Sequence, residues 1–503
     1  MADRAVTVGA APLTIDDVVR VARDRASMVV TPEARARLHA ARAVVEHLAA
    51  SPTAHYGVNS ALGANTGQPL APSDRADYQT RAVRARAVAV GRSYSACAVR
   101  AMLAARVAGM AVGGSGVSPA VLDALIALLD RGVHPVVPRV GSIGAADLPQ
   151  LAHLALPLIG EGEAEWDGHV MPSATALEHA GLKPVALGAK DGLSLVSANA
   201  ATIGCAALVL HDARILFDRW LAAIALSFEG FRANVSPLDP RAVAARPAPG
   251  QVEIAARLRA LLEESALLAS PPRRVQDPLS FRVVAQVHGA GHWMLDEARK
   301  LTELELNSAA DSPLVIAEER AMLSNGNFHT GALALAVDAL ALAAAQMASL
   351  AAGRIQRFMT PSLTDLPLQL TRHGPAHSGF ATIQKTVTSL LNETRRLANP
   401  ASLDFLPVSE AIEDHAPMTL GAVDKLAQQL ARVRYLVAIE FIVAAQAVDL
   451  RGVAPASLGA GARDLYEAVR AVVAVLDEDR PLGPDIERVA ATLRAGLADP
   501  MEL

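Results

Sequence analysis

The residues of this chain best suited to chemistry on a small charged molecule are a tyrosine, two arginines, a glutamate and a lysine. Tyr56 lies in His55-Tyr56-Gly57-Val58-Asn59-Ser60-Ala61-Leu62-Gly63, which is glycine-rich, lacks helical periodicity and reads as a loop. A phenol is a poor base at its ordinary pKa of about 10 and needs neighbouring positive charge to become one. Arg282 follows a proline-containing stretch, Val275-Gln276-Asp277-Pro278-Leu279-Ser280-Phe281, and a guanidinium fork suits a carboxylate. Glu413, in Ile412-Glu413-Asp414-His415, offers a carboxylate that can accept a ring N–H. Lys385 sits in a helical pattern, where a lysine is most often a solvated charge, and Arg86 is a permanent cation. Each also has a structural reading: packing under a lid for Tyr56, and ion pairs for Arg282, Glu413 and Arg86.

Composition limits what these groups serve. The chain has 503 residues, 52% of them hydrophobic, enough for two or three domains or one large helical body. Only 19% are charged and the net charge is -5, which leaves no electrostatic footprint for nucleic acid or an anionic membrane. Aromatics stand at 3% while alanine is abundant, which favours closely packed helices and predicts a mainly α protein. Cys97 and Cys205 are too few for a disulfide framework or a zinc site and read as buried reduced thiols. No charged start followed by an apolar run opens the chain, so a cytoplasmic enzyme is expected. The apolar stretch from Thr330 to Ala352 carries Asp338 and Gln346 and is flanked by Arg354, so it reads as a helix buried on most sides within a bundle.

The elements that must position these groups follow from local pattern. Thr14 is a start signal for a short amphipathic helix. Helical pattern runs from about Ser73 to Val112, breaks at Gly113-Gly114-Ser115-Gly116, and resumes to Leu129. Prolines at 135 and 138 mark an extended piece over 133–144, and Glu165-Trp166-Asp167-Gly168-His169 reads as a small hairpin. From Gly192 onward long helices dominate, interrupted at 232–250, 270–278, 360–374 and 399–417, where loops carrying chemistry are expected. Two regions result: 1–200, and 201–503 with the long-helix bundle and a C-terminal helical region.

Several strings, in order, make the chain resemble the histidine and phenylalanine ammonia-lyases over nearly its whole length. Gly141-Ser142-Ile143-Gly144-Ala145-Ala146-Asp147-Leu148 is similar to the family's Gly-Ser-Val-Gly-Ala-Ser-Gly-Asp-Leu, one residue shorter. Glu303 to Pro313, Ser324 to His329 and Ile412 to His415 also resemble family strings. The resemblance implies a fold with a central bundle of long helices and a smaller N-terminal mixed domain, assembled as a homotetramer whose active sites mix residues of three subunits. It also implies Tyr56 as the base on a mobile loop, Arg282 as partner of the substrate carboxylate, and Glu413 against an imidazole ring, with Phe328, Asn327 and Ser197 at the site.

The departures are equally specific. In the family, Ala-Ser-Gly cyclises into a methylidene-imidazolone electrophile, a reaction that needs a serine hydroxyl and an unhindered glycine nitrogen. Ala145-Ala146-Asp147 supplies neither, so that cofactor is not expected to form, and no metal is expected. Leu279 replaces the family's second loop tyrosine, Ser197 replaces an asparagine, and Ala85-Arg86 replaces a Ser-His pair. A quaternary amine has no lone pair with which to attack such an electrophile and departs without a proton. The leading expectation is therefore a carbon–nitrogen lyase without the group, resembling ergothionase, that expels trimethylamine from an imidazole betaine of the ergothioneine or hercynine type. Lys385 would then meet a thione sulfur. The alternatives are a histidine or aromatic amino acid ammonia-lyase releasing ammonia, and an inactive relative.

Overall fold

The computed structural model describes residues 5–62 and 68–494; Gly63, the end of the Tyr56 string, lies outside the described residues. The protein is mainly helical. Thr14 starts the Ile15–Arg23 helix through a reciprocal capping box with Asp17, and Pro32 begins the Pro32–Ala49 helix behind the Thr31 cap. The chain between Ser73 and Val112 is not one helical stretch. It forms helices Pro72–Arg84 and Ala96–Val112, separated by strand Val90–Ser93, which pairs antiparallel with Pro138–Val140. Strand Glu163–Trp166 turns through Asp167-Gly168 into His169–Pro172, as the Asp-Gly pair predicts.

The core is built on long helices. Ala200–Phe231 packs along both Thr419–Arg451 and Ala96–Val112, while Gly331–Phe358 lies between Thr419–Arg451 and Val284–Leu306. Small residues let these backbones approach closely. A Cβ added at Gly204 would sit 2.6 Å from the Ala101 carbonyl carbon, so glycine is required at that crossing. Glu440 knits three of the helices together. Its carboxylate accepts bonds from Arg354 Nε (2.5 Å) and Nη2 (3.0 Å), Trp220 Nε1 (3.2 Å) and Ser227 Oγ (2.9 Å), all buried. Burying a charge is costly unless it is paired and hydrogen-bonded, and here both conditions hold.

Two segments, Asp191–Phe231 and Gly331–Phe358, are long and apolar enough to cross a membrane, but the apolar window of the first is wholly inside the body. Gly331–Phe358 is less enclosed than its sequence suggests: Leu335 (64%) and Leu342 (50%), two turns apart, face outward. Cys205 is buried, whereas Cys97 is only half-buried; both are free thiols, and burial raises the pKa of each.

Candidate active site

The Tyr56 loop is held by its own polar groups. The His55 carbonyl accepts N–H bonds from Val58, Asn59 and Ser60, and the buried Asn59 side chain returns bonds to His55, Ser51 and Thr53. Gln79 fastens this loop to the Asp191–Val196 turn: its amide donates to the Gly57 carbonyl (3.1 Å) and its oxygen accepts from Gly192 N–H (3.0 Å). Gly57 has φ +71°, and a Cβ there would meet Leu193 Cδ2 at 2.2 Å, so neither the backbone nor the space admits a larger residue. Behind the turn lies Lys190, fully buried, its amine lowered to about 8 by desolvation and donating to the Ser115 carbonyl.

The 141–147 loop is fixed just as tightly. The buried Asp147 carboxylate accepts from Ser142 Oγ (2.6 Å), Thr202 Oγ1 (2.9 Å) and Thr202 N–H (2.7 Å), which anchors the loop to the first turn of Ala200–Phe231. Burial raises the Asp147 pKa, while these bonds oppose the shift. Gly144 (φ +81°) donates its N–H to Ser142 Oγ, and its carbonyl accepts from Asn199 Nδ2. Ala146, at φ +62°, donates its N–H to the Phe328 carbonyl (3.2 Å), and Ala145 bridges to His329.

These strings meet around a cavity of about 450 Å³. Tyr56, Arg86, Ala145, Ala146, Ser197, Phe328 and Glu413 all line it, so residues from six separate stretches of sequence converge. Arg86 spends one donor on the Ala82 carbonyl (2.9 Å), and Glu413 accepts from Ser409 Oγ (3.0 Å). A cation and a carboxylate thus share one cavity with a phenol, a set able to orient a zwitterion and move a proton. The lining also includes Ser312, Ser324, Asn325, Ser409 and Ile412, which sequence reasoning did not single out as site residues. Asn325, Ser324 and Ile412 were within reach, since they stand in the same strings as Phe328 and Glu413. Those two strings are tied together by His329 Nε2 and His415 Nδ1, 2.9 Å apart.

Other expected site residues lie elsewhere. Asp147 is buried outside the lining, and Asn327 is exposed, its backbone N–H bonded to Asn325 Oδ1. Lys385 is exposed on the Ile383–Leu397 helix, in a different depression with Gln356 and Arg395, and no residue of that helix lines the Tyr56 cavity. Arg282 ends the short Leu279–Arg282 turn, half-buried and outside the Tyr56 lining, and its guanidinium has no hydrogen-bond or ion-pair partner among the described residues. Of the expected loop interruptions, 399–417 reaches this cavity; 232–250, 270–278 and 360–374 do not.

Comparison with known proteins gives this geometry a setting. A family model described as aromatic amino acid lyase matches residues 13–471. The chain is 40% identical over 494 residues to a histidine ammonia-lyase of Symbiobacterium thermophilum, covering 98% of this chain and 97% of that protein. It is 39% identical over 487 residues to a histidine ammonia-lyase of Myxococcus xanthus, covering 96% of each. The crystal structure of ergothionase from Treponema denticola, an ergothioneine-degrading enzyme in complex with desmethyl-ergothioneine sulfonic acid, superposes with a TM-score of 0.94 at 34% identity, covering 98% of this chain and 99% of that one.

Two expectations are corrected by these similarities. Elimination of trimethylamine from a betaine is overturned, because curated relatives at about 40% identity over the whole chain are histidine ammonia-lyases, which agrees with release of ammonia. The expectation of no cofactor is overturned as well, since the histidine ammonia-lyase family generally uses a methylidene-imidazolone. Residues 145–147 do not fit formation of that group: neither alanine has a hydroxyl to lose, the Ala146 N–H is bonded to Phe328, and the Ser142 hydroxyl is bonded to Asp147.

Proposed function

We propose that this chain, which belongs to the aromatic amino acid lyase family and is a carbon–nitrogen lyase, acts on a histidine-type amino acid and releases its α-amino group as ammonia. The observation that carries the reading is the convergence of Tyr56, Arg86 and Glu413 on one cavity. In this reading Glu413 accepts the imidazole N–H, and Phe328 and Ser197 shape the space beside the ring. Tyr56 removes a proton from the β-carbon, and Arg86 lends the cavity a fixed positive charge beside an anionic substrate. The electron pair of the broken C–H bond forms the Cα=Cβ double bond, the C–N bond breaks, and the amine leaves as ammonia. The organic product is the α,β-unsaturated acid conjugated with the ring.

Arg282 binds the substrate carboxylate in this proposal, and its place outside the Tyr56 lining is explained by assembly. A homotetramer, with Arg282 and Lys385 of one subunit facing the cavity of another, would complete the site. Its support is the exposed apolar row of Leu335 and Leu342, joined by the exposed Trp293 and Leu304 on the adjoining Val284–Leu306 helix.

The test is turnover of L-histidine, followed by ammonia release and by the ultraviolet absorbance of the conjugated product. Tyr56→Phe is expected to reduce the rate by about 10²–10⁴, the usual contribution of a positioned acid or base, with the circular dichroism spectrum unchanged. A wild-type protein that forms neither ammonia nor conjugated acid from histidine overturns the proposal.

A further inference from the structure

A second cluster of ligating side chains lies far along the chain from the Tyr56 cavity and shares none of its lining. His373 and His377 stand four residues apart in the segment before the Ile383–Leu397 helix, and Asp477, Glu478 and Asp479 precede Gly483–Arg494. Asp479 brings the two segments together, its two carboxylate oxygens accepting the N–H groups of Ser378 (2.7 Å) and Gly379 (2.9 Å). Those bonds occupy Asp479 as a positioning residue and leave its neighbours facing the histidines.

The resulting spacing is that of a ligand set. The imidazole rings lie 4.4 Å apart, and the ligating atoms of His373, His377 and Glu478 all fall within 4.8 Å of one another. His373 Nε2 is 3.7 Å from Glu478 Oε1 and 3.5 Å from Asp477 Oδ1, while His377 Nε2 is 2.9 Å from Glu478 Oε2. Metal–ligand bonds of about 2.0–2.2 Å in a tetrahedron place neighbouring ligand atoms about 3.3–3.6 Å apart. The His373–Glu478 separation is close to that edge, and drawing the whole set in from within 4.8 Å takes side-chain movement of about an ångström. A plain hydrogen bond between His377 and Glu478 accounts for only part of the cluster. It leaves His373 Nε2 shielded from solvent with no hydrogen-bond partner among the described residues, pointing at the same two carboxylates.

We infer that His373, His377 and Glu478 form a three-ligand divalent transition-metal site, its fourth position open to water, that staples residues 373–379 to residues 477–479. Two neutral imidazoles and one carboxylate are a mixed nitrogen and oxygen set, which favours Zn²⁺ over the hard, all-oxygen cations. Both segments are loops in the folded chain and come together only there, so the metal binds the native state in preference to the unfolded one and stabilises it.

The experiment uses the full chain after chelator treatment, titrated with Zn²⁺ by calorimetry and then melted with and without the metal. Co²⁺ serves as a spectroscopic stand-in whose visible bands report tetrahedral coordination. The expected result is one equivalent of Zn²⁺ per chain with a raised melting temperature. His373→Ala and His377→Ala should each remove that equivalent and its melting shift. Glu478→Gln, at an exposed position where misfolding is not an issue, should weaken binding at least tenfold. Metal-free histidine turnover should be the same in all of these proteins. A wild-type protein that takes up no Zn²⁺, or one whose equivalent survives in both the His377→Ala and Glu478→Gln variants, overturns the inference.

Discussion

Replacing Arg354 by methionine tests whether the Glu440 network holds the bundle. Arg354 and Glu440 are both 0% exposed, and the guanidinium meets the carboxylate through two nitrogens. Its third nitrogen donates to the Ser280 carbonyl at 3.0 Å, fastening the turn that carries Arg282. Methionine fills most of the volume but leaves a buried carboxylate supported only by Trp220 and Ser227. Removing one partner of a buried pair costs about 3–5 kcal/mol, and the stripped Ser280 acceptor adds about 1 kcal/mol, for a total near 4–6 kcal/mol. The double variant Arg354→Met with Glu440→Leu removes both charges and loses mainly the acceptor for Trp220 and Ser227, about 1–3 kcal/mol. It should therefore be more stable than Arg354→Met alone. Urea unfolding at one fixed protein concentration measures both, since assembly makes stability concentration-dependent. A single variant within about 1 kcal/mol of wild type, or a double variant less stable than the single, refutes the reasoning.

Three further outcomes are expected. Glu413→Gln should raise KM for histidine more than it lowers kcat, because an amide still reaches the ring but without the charge; an unchanged KM removes Glu413 from ring binding. His292, buried against Phe217, has its pKa lowered to about 3 by desolvation, with Arg257 and Arg214 adding to the shift. Below its ordinary pKa of 6.5 the unfolded chain binds a proton that the folded chain refuses, so its contribution to stability is present above that value and lost as pH falls. Glu305 and Asp424, raised by burial to about 7 and about 6, act in the opposite sense. The readout is therefore His292→Leu relative to wild type: between pH 7 and pH 5 the difference should move in the variant's favour by about 2 kcal/mol, and a pH-independent difference contradicts it. Gly204→Ala should destabilise by about 1–3 kcal/mol through overpacking at the Ala101 crossing, and neutrality in a melt would mean that the helices separate freely.

How much was legible depends on whether the cause was local. Thr14 and Asp17 announce a helix start because the capping bonds form within four residues, and Asp167-Gly168 announces a hairpin because the turn itself demands those types. The break at Val90–Ser93 was not legible, because the strand exists only by pairing with Pro138–Val140 some fifty residues away. Lys385 and Asn327 stand outside the Tyr56 lining of their own chain, a placement set by packing and local bonding that the order of residues does not state.

By itself, the sequence determined the helical class, the main loops, and the chemical types available at the site: a phenol, guanidinium groups, a carboxylate, and a 141–148 loop whose only hydroxyl is that of Ser142. Tertiary structure decided which of them meet. Tyr56, Arg86 and Glu413 share a cavity because Gln79, Asp147 and the His329–His415 contact tie together segments that are far apart along the chain. Residue type is a property of position along the chain, whereas convergence is a property of packing, and only the folded chain closes those distances.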